Sequence, residues 1–385
     1  MTGFPSGRLV DQHGYGVLHA ELGLATFETH LAAETGGVAP GHGSFYDSGP
    51  GLAVRRWCPP LLGLEPHCAP ARYLARRREL GAFAAARALL RGSGIGGFLV
   101  DTSTAAPGTA GTSRTARTSR TPGAHGLTSP TELAAAAGGR AREAVCLESL
   151  AAQVADTSGS VRAFLANTAE ALHAAARGAA AFVVGAAFRE GEPPGPAEVL
   201  RAAGHWLRRR AEAAALPLRR ITGRAAPPYE EPEPVLVRHL LWSAVATGRP
   251  VQLRCGDPAP LEDFLRATVG LGTEVVLLAR RPHHRAAARL AAAFPHVHAD
   301  VGPRPAETLA EAPFAKLLFS TGAGALPELY VVRARAFTGA LGALLSEWVA
   351  EGVCAPGDAS RIAARVGSGN ASRLYRLGAG EGASC

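Results

Sequence analysis

The chain has 385 residues, 47% of them hydrophobic, enough to bury one large barrel or two smaller domains. Its formal charge is +8, carried almost wholly by arginine, with Lys316 the one lysine. No run of eighteen uncharged apolar residues occurs, and Met1–Pro5 lacks the basic and then apolar pattern of a leader, so a cytoplasmic protein without a membrane partner is expected.

The first predicted strand is Arg8–His13, which runs into Gly14-Tyr15-Gly16. Residues from about 17 to 95 read as mainly helical, Tyr73–Leu90 most clearly, and form an expected insertion between the first two strands. Gly92-Ser93-Gly94-Ile95-Gly96-Gly97 fits Gly-x-Gly-x-x-Gly, but a strand follows it instead of a helix, so it reads as a tight turn. Phe98–Asp101 is the second strand. Ser103–His125 is Thr/Ser/Gly/Arg-rich, with Thr112-Ser113-Arg114-Thr115 repeated as Thr118-Ser119-Arg120-Thr121. Such a composition buries too little surface to offset its ordering entropy, so a disordered loop is expected.

Six further strands follow: Ala144–Glu148, Ala181–Ala187, Val251–Cys255, Glu274–Ala279, Val297–Val301 and Lys316–Thr321. Helical patterns at Ala197–Ala215, Leu261–Val269 and His284–Phe294 lie among them. Continuous apolar strands alternating with helices indicate a parallel sheet covered on both faces. Eight such units predict a (β/α)8 barrel over residues 1–377 as one domain, with a mobile tail at 378–385.

Chemistry in such barrels sits at the C-terminal ends of the strands. That rule selects His13, Asp101, Glu148, Arg189, Arg254, Cys255, Ala279, Arg280, Asp300, Thr321 and Gly322. The six cysteines form no Cys-x-x-Cys pair, and reduced buried thiols are the expectation.

Several stretches resemble the amidohydrolase superfamily, in the branch also found fused to glutamine-synthetase-like domains. They are Leu61-Leu62-Gly63-Leu64-Glu65-Pro66-His67, Phe98-Leu99-Val100-Asp101-Thr102, Gly126-Leu127-Thr128-Ser129-Pro130, Gly256-Asp257-Pro258 with Asp263-Phe264-Leu265, Phe294-Pro295-His296-Val297, and Gly369-Asn370-Ala371-Ser372-Arg373-Leu374-Tyr375. The resemblance implies a site for one or two divalent metals, usually zinc. Its ligands would be His-x-His after strand one, a lysine or glutamate after strand four, histidines after strands five and six, and an aspartate after strand eight. In this chain His13 matches the first histidine and is the one matching ligand. Tyr15, Val183, Arg254, Ala279 and Gly322 occupy the other positions.

A catalytic zinc needs about three protein ligands and an open position for water. His13 alone does not supply them. Arg254 would set a permanent positive charge beside the cation, and Gly322 lacks the carboxylate that accepts the proton of metal-bound water. The expectation is therefore a degenerate amidohydrolase-like protein without a cofactor that binds a small molecule or regulates a partner. The alternative is an active hydrolase of amide bonds, γ-glutamyl ones by the glutamine-synthetase association, with zinc or with a rebuilt metal-independent site.

For a rebuilt site the candidate catalytic residues are Glu148, His13 and Arg254. Candidate ligand-binding residues are Tyr15, Arg189, Asp257, Arg280 and His284. Glu148 is read either as a general acid or base or as the ion-pair partner of an arginine. Arg254, Arg280 and Arg189 are read either as an anion pocket or as partners of Glu148, Asp257 and Asp300. His296-Val297-His298 lies at the start of strand seven and reads as structural. The arginines sit mostly on helical faces such as Arg208-Arg209-Arg210, so no nucleic-acid partner is expected. A homodimer is the expected assembly.

Overall fold

The computed structural model describes residues 7–35, 44–103, 127–185, 191–215 and 232–377. The predicted loop at 103–125, apart from Ser103, lies outside the described residues. So do Arg189 and the tail at 378–385.

Eight strands form one sheet in sequence order. They are β1 (Leu9–Gly14), β2 (Ile95–Asp101), β3 (Arg140–Cys146), β4 (Ala181–Gly185), β5 (Val251–Cys255), β6 (Val275–Ala279), β7 (Val297–Asp300) and β8 (Leu317–Leu318). Among the described residues four α-helices separate β1 from β2: α1 (Leu24–Glu34), α2 (Gly49–Trp57), α3 (Pro70–Leu80) and α4 (Ala82–Gly92). Then come α5 (Pro130–Ala137) after β2, α6 (Leu147–Thr157) and α7 (Val161–Gly178) after β3, and α8 (Pro196–Ala215) and α9 (Pro234–Val245) after β4. The chain continues with α10 (Glu262–Ala267), α11 (His284–Ala293) and α12 (Pro305–Leu309), and ends on α13 (Pro327–Ala350), α14 (Pro356–Ala364) and α15 (Asn370–Leu374). This is the (β/α)8 class, with the expected helical insertion between β1 and β2. No described helix is long and apolar enough to cross a membrane.

Contacts divide the chain into two compact units, residues 1–143 with 301–385, and residues 144–300. In the first unit β1 pairs in parallel with β2, Asp11 opposite Phe98. On its other side β1 meets the chain leaving β8: the Gln12 amide donates to the Phe319 carbonyl at 3.0 Å, and the Gly322 amide to the His13 carbonyl at 2.7 Å. The predicted strand Lys316–Thr321 is thus shorter than expected. At its start Lys316 closes a 3-10 turn, and at its end Thr321 turns to the Asp11 carboxylate, which takes its amide at 2.8 Å and its hydroxyl as well.

The helical stretch Tyr73–Leu90 is shared between α3 and α4. They part at Gly81, whose φ of 79° is costly for any residue with a β-carbon. Phe27, Tyr46 and Tyr73 make the core of the insertion, with Phe27 and Tyr46 stacked at 5.5 Å. One polar cluster ties it down. Glu328, fully buried in the first turn of α13, accepts from the Tyr73 hydroxyl at 2.7 Å and pairs with Arg77 Nε at 3.2 Å. Burial, and then the Glu328 charge, push the Tyr73 hydroxyl well above its ordinary titration range.

In the second unit β3 to β7 pair in parallel, with Cys146 opposite Val183, Gly185 opposite Arg254, Cys255 opposite Ala279 and Val276 opposite His298. Phe182, Val183, Val184, Val251 and Leu253 are fully buried, as strands covered on both faces require. His298 Nε2 meets Glu274 at 3.0 Å, and His296 Nε2 meets the Thr268 hydroxyl at 3.0 Å. Both histidines therefore hold local structure at the N-terminal edge of β7.

Candidate functional site

Strand-end residues of the first unit lie against β1. His13 is 6% exposed, its amide donates to Asp11 Oδ1 at 3.2 Å, and its ring meets Tyr15 edge-on at 5.3 Å. Tyr15 is 3% exposed. Its amide donates to the Ala323 carbonyl at 2.7 Å, and its own carbonyl accepts from the Tyr330 hydroxyl. Gly14 and Gly16 leave room for this packing. A β-carbon on Gly16 would lie 2.2 Å from the Thr128 carbonyl oxygen, and one on Gly14 2.9 Å from the Tyr330 hydroxyl. Gly322 has a φ of 54°. The nearest atom to a β-carbon there would be Arg333 Nη1, at 3.7 Å. An aspartate at this position would need a left-handed backbone and would face a guanidinium.

In the second unit Val183 is fully buried against Ala144 and Cys146. Glu148 does not end β3 as expected. The strand stops at Cys146, and α6 begins with no intervening loop, so Glu148 sits in the first helical turn. From there its Oε1 accepts the Gly185 amide at 2.6 Å. A β-carbon at 185 would press on that oxygen at 3.0 Å, so glycine keeps the approach open. Arg254 Nη2 lies 3.5 Å from the same oxygen, with the arginine side chain 24% exposed and the carboxylate 13%. The Cys146 thiol donates to Glu148 Oε2 at 3.2 Å, and Arg254 Nη2 lies 3.6 Å from its sulfur.

The structure thus brings Glu148 and Arg254 together and adds Cys146, one of the thiols expected to be buried. Asp257 and Arg280 follow β5 and β6 and are exposed. The Asp257 carboxylate meets His283 Nδ1 at 3.8 Å. Burial pushes the Cys255 thiol up to about 12; the Asp257 charge adds to the rise and Arg280 opposes it. His284, the first residue of α11, is half-buried.

The donors present do not fit a divalent metal. Among the described residues no group of three or more His, Cys, Asp or Glu side chains could hold one. The positions that the resemblance gives to ligands carry an aromatic ring, a buried valine, a guanidinium, an alanine and a glycine in a left-handed conformation.

Sheet order, helix placement and chemistry-bearing strand ends define a (β/α)8 barrel. Its fold is shared with a protein of Lactobacillus casei ATCC 334 assigned as a metal-dependent hydrolase, at a TM-score of 0.68 and 19% identity over 96% of this chain and 95% of that one. It is shared also with uronate isomerase from Thermotoga maritima, at a TM-score of 0.57 and 12% identity over 96% and 94% of the two chains. Glucuronate isomerase from Caulobacter crescentus matches at 0.50 and 14% over 76% of this chain and 66% of that one. At such identities the likeness is one of fold. No family model and no curated protein sequence matches the chain.

Proposed function

We propose that this chain is an amidohydrolase-like barrel that has given up metal-hydroxide chemistry and binds a small anionic molecule, in a binding or regulatory role. The observation that carries the reading is Arg254. It stands where the resemblance places a metal-ligating histidine, and its guanidinium is paired with Glu148 at 3.5 Å. A guanidinium there repels a cation and offers a carboxylate or phosphate a forked donor. The same reading makes the protein a cytoplasmic homodimer without a cofactor, nucleic-acid or membrane partner.

The test is elemental analysis of protein expressed with excess zinc, manganese and iron, followed by turnover assays on amides and lactones. The reading expects no stoichiometric metal and no metal-dependent turnover. A full complement of metal with chelator-sensitive amide hydrolysis would overturn it. A second reading, a hydrolase with a rebuilt metal-independent site, is favoured by the contact of the Glu148 carboxylate with the Cys146 thiol.

A further inference from the structure

A thiol acts as a nucleophile when it has an acceptor for its proton and a positive charge beside the developing thiolate. Cys146 has both. Its proton points to Glu148 Oε2 at 3.2 Å, and Arg254 Nη2 lies 3.6 Å from its sulfur. Cys146 is also the N-cap of the eleven-residue helix α6, whose N-terminal dipole favours negative charge. Glu148 is itself held in place, by the Gly185 amide at 2.6 Å and by Arg254.

The position is that of chemistry in this fold. Cys146 is opposite Val183, Val183 opposite Gln252, and Gly185 opposite Arg254. Thiol and guanidinium therefore share one face of the sheet at the C-terminal edge of β3 and β5. Cys146 itself is 3% exposed, so a ligand would reach it past the more open side chains of Arg254 and Glu148. Cys58, by contrast, directs its thiol to the Glu328 backbone carbonyl, at 3.9 Å.

We propose that Cys146 is the nucleophile of a metal-free acyl-transfer site, with Glu148 as its proton carrier and Arg254 as the group that receives oxyanion charge. The substrate class is a small amide or ester. Sγ attacks the carbonyl carbon, and an S–C bond forms as the thiol proton passes to Glu148. The carbonyl π pair moves to oxygen, where the Arg254 guanidinium meets it. Collapse expels the amine or alcohol, which takes the proton from Glu148. Water then attacks the thioester, giving one proton to the departing thiolate. The sum is amide or ester plus water to carboxylic acid plus amine or alcohol. This inference rests on the metal-free reading above and deepens its second form.

The test uses p-nitrophenyl acetate with the full chain, before and after EDTA treatment, with metal content measured in parallel. A burst of one p-nitrophenolate per chain is expected, with the acetyl group mapped by mass spectrometry to Cys146. Cys146→Ser should remove the burst. Arg254→Gln should slow acylation about a hundredfold, as loss of one oxyanion donor does. Iodoacetamide gives a second readout: Cys146 should react in the native protein ahead of the partly exposed Cys354. Absence of a burst, acetylation of Cys354 in place of Cys146, or an unchanged burst in Cys146→Ser would overturn the inference while leaving a metal-free protein metal-free. Stoichiometric metal together with a burst abolished by EDTA would instead overturn the metal-free reading.

Discussion

Truncating Glu328 to alanine should loosen the helical insertion more than any other single side-chain deletion there. Its carboxylate is fully buried and Arg77 is 8% exposed, the two 3.2 Å apart, with the Tyr73 hydroxyl donating at 2.7 Å. Removing the carboxylate leaves a buried guanidinium without its countercharge, and leaves the Tyr73 hydroxyl without its acceptor. One-sided loss of a buried pair costs about 3–5 kcal/mol. Glu328→Gln keeps the shape and one acceptor oxygen but not the charge, and should cost about 1.5–3 kcal/mol. Replacing both partners, Arg77→Met with Glu328→Leu, should recover most of the loss, because no charge is then left stranded. Urea unfolding followed by circular dichroism and by tryptophan fluorescence reads all three. A Glu328→Ala loss under about 1 kcal/mol, or a double variant as unstable as the sum of its singles, would refute the argument.

Three further predictions concern local packing, helix propensity and pH. Gly16→Ala places a β-carbon 2.2 Å from the Thr128 carbonyl oxygen and 2.9 Å from the Thr128 nitrogen, backbone atoms that cannot swing aside, and should cost about 3 kcal/mol in urea unfolding. Gly339→Ala, in the middle of α13 with open space around it, should instead stabilise by about 0.5–1 kcal/mol. Burial lowers the titration of His30 and of His239 below the ordinary 6.5. The unfolded chain then binds those protons more readily. Their contribution to stability is therefore complete above pH 6.5 and is lost as the pH falls through and below that value. Melting temperature should drop on the acid side, and His30→Gln with His239→Gln should flatten that drop; an unchanged slope would contradict it.

The strands that read clearly in the sequence are those buried on both faces. Val251–Cys255 is legible to the residue because Val251, Leu253 and Cys255 alternate with Gln252 and Arg254 between Pro250 and Gly256. Lys316–Thr321 is longer than β8 because Lys316 closes a 3-10 turn and Thr321 gives its amide to the Asp11 carboxylate, 310 positions away in sequence. Glu148 was placed on a strand because nothing local marks the junction: β3 passes directly into α6 at Cys146. Its ion pair with Arg254 was among the readings open from sequence. Its contact with Cys146 was not, since a single cysteine flanked by Val145 and Leu147 looks like core, and the guanidinium beside it lies 108 positions further along. The helix break at Gly81 was written in the residue itself and obscured by the strong helical pattern on either side.

The proposed function rests on the positions that the sequence resemblance gives to metal ligands: of His13, Tyr15, Val183, Arg254, Ala279 and Gly322, His13 alone carries a side chain that ligates zinc, where a catalytic zinc needs about three. Metal content by inductively coupled plasma mass spectrometry, on the full chain expressed with excess zinc, manganese and iron, tests this most directly. The account predicts far less than one ion per chain, unchanged by His13→Ala. One or more ions per chain, lost in His13→Ala, would contradict it.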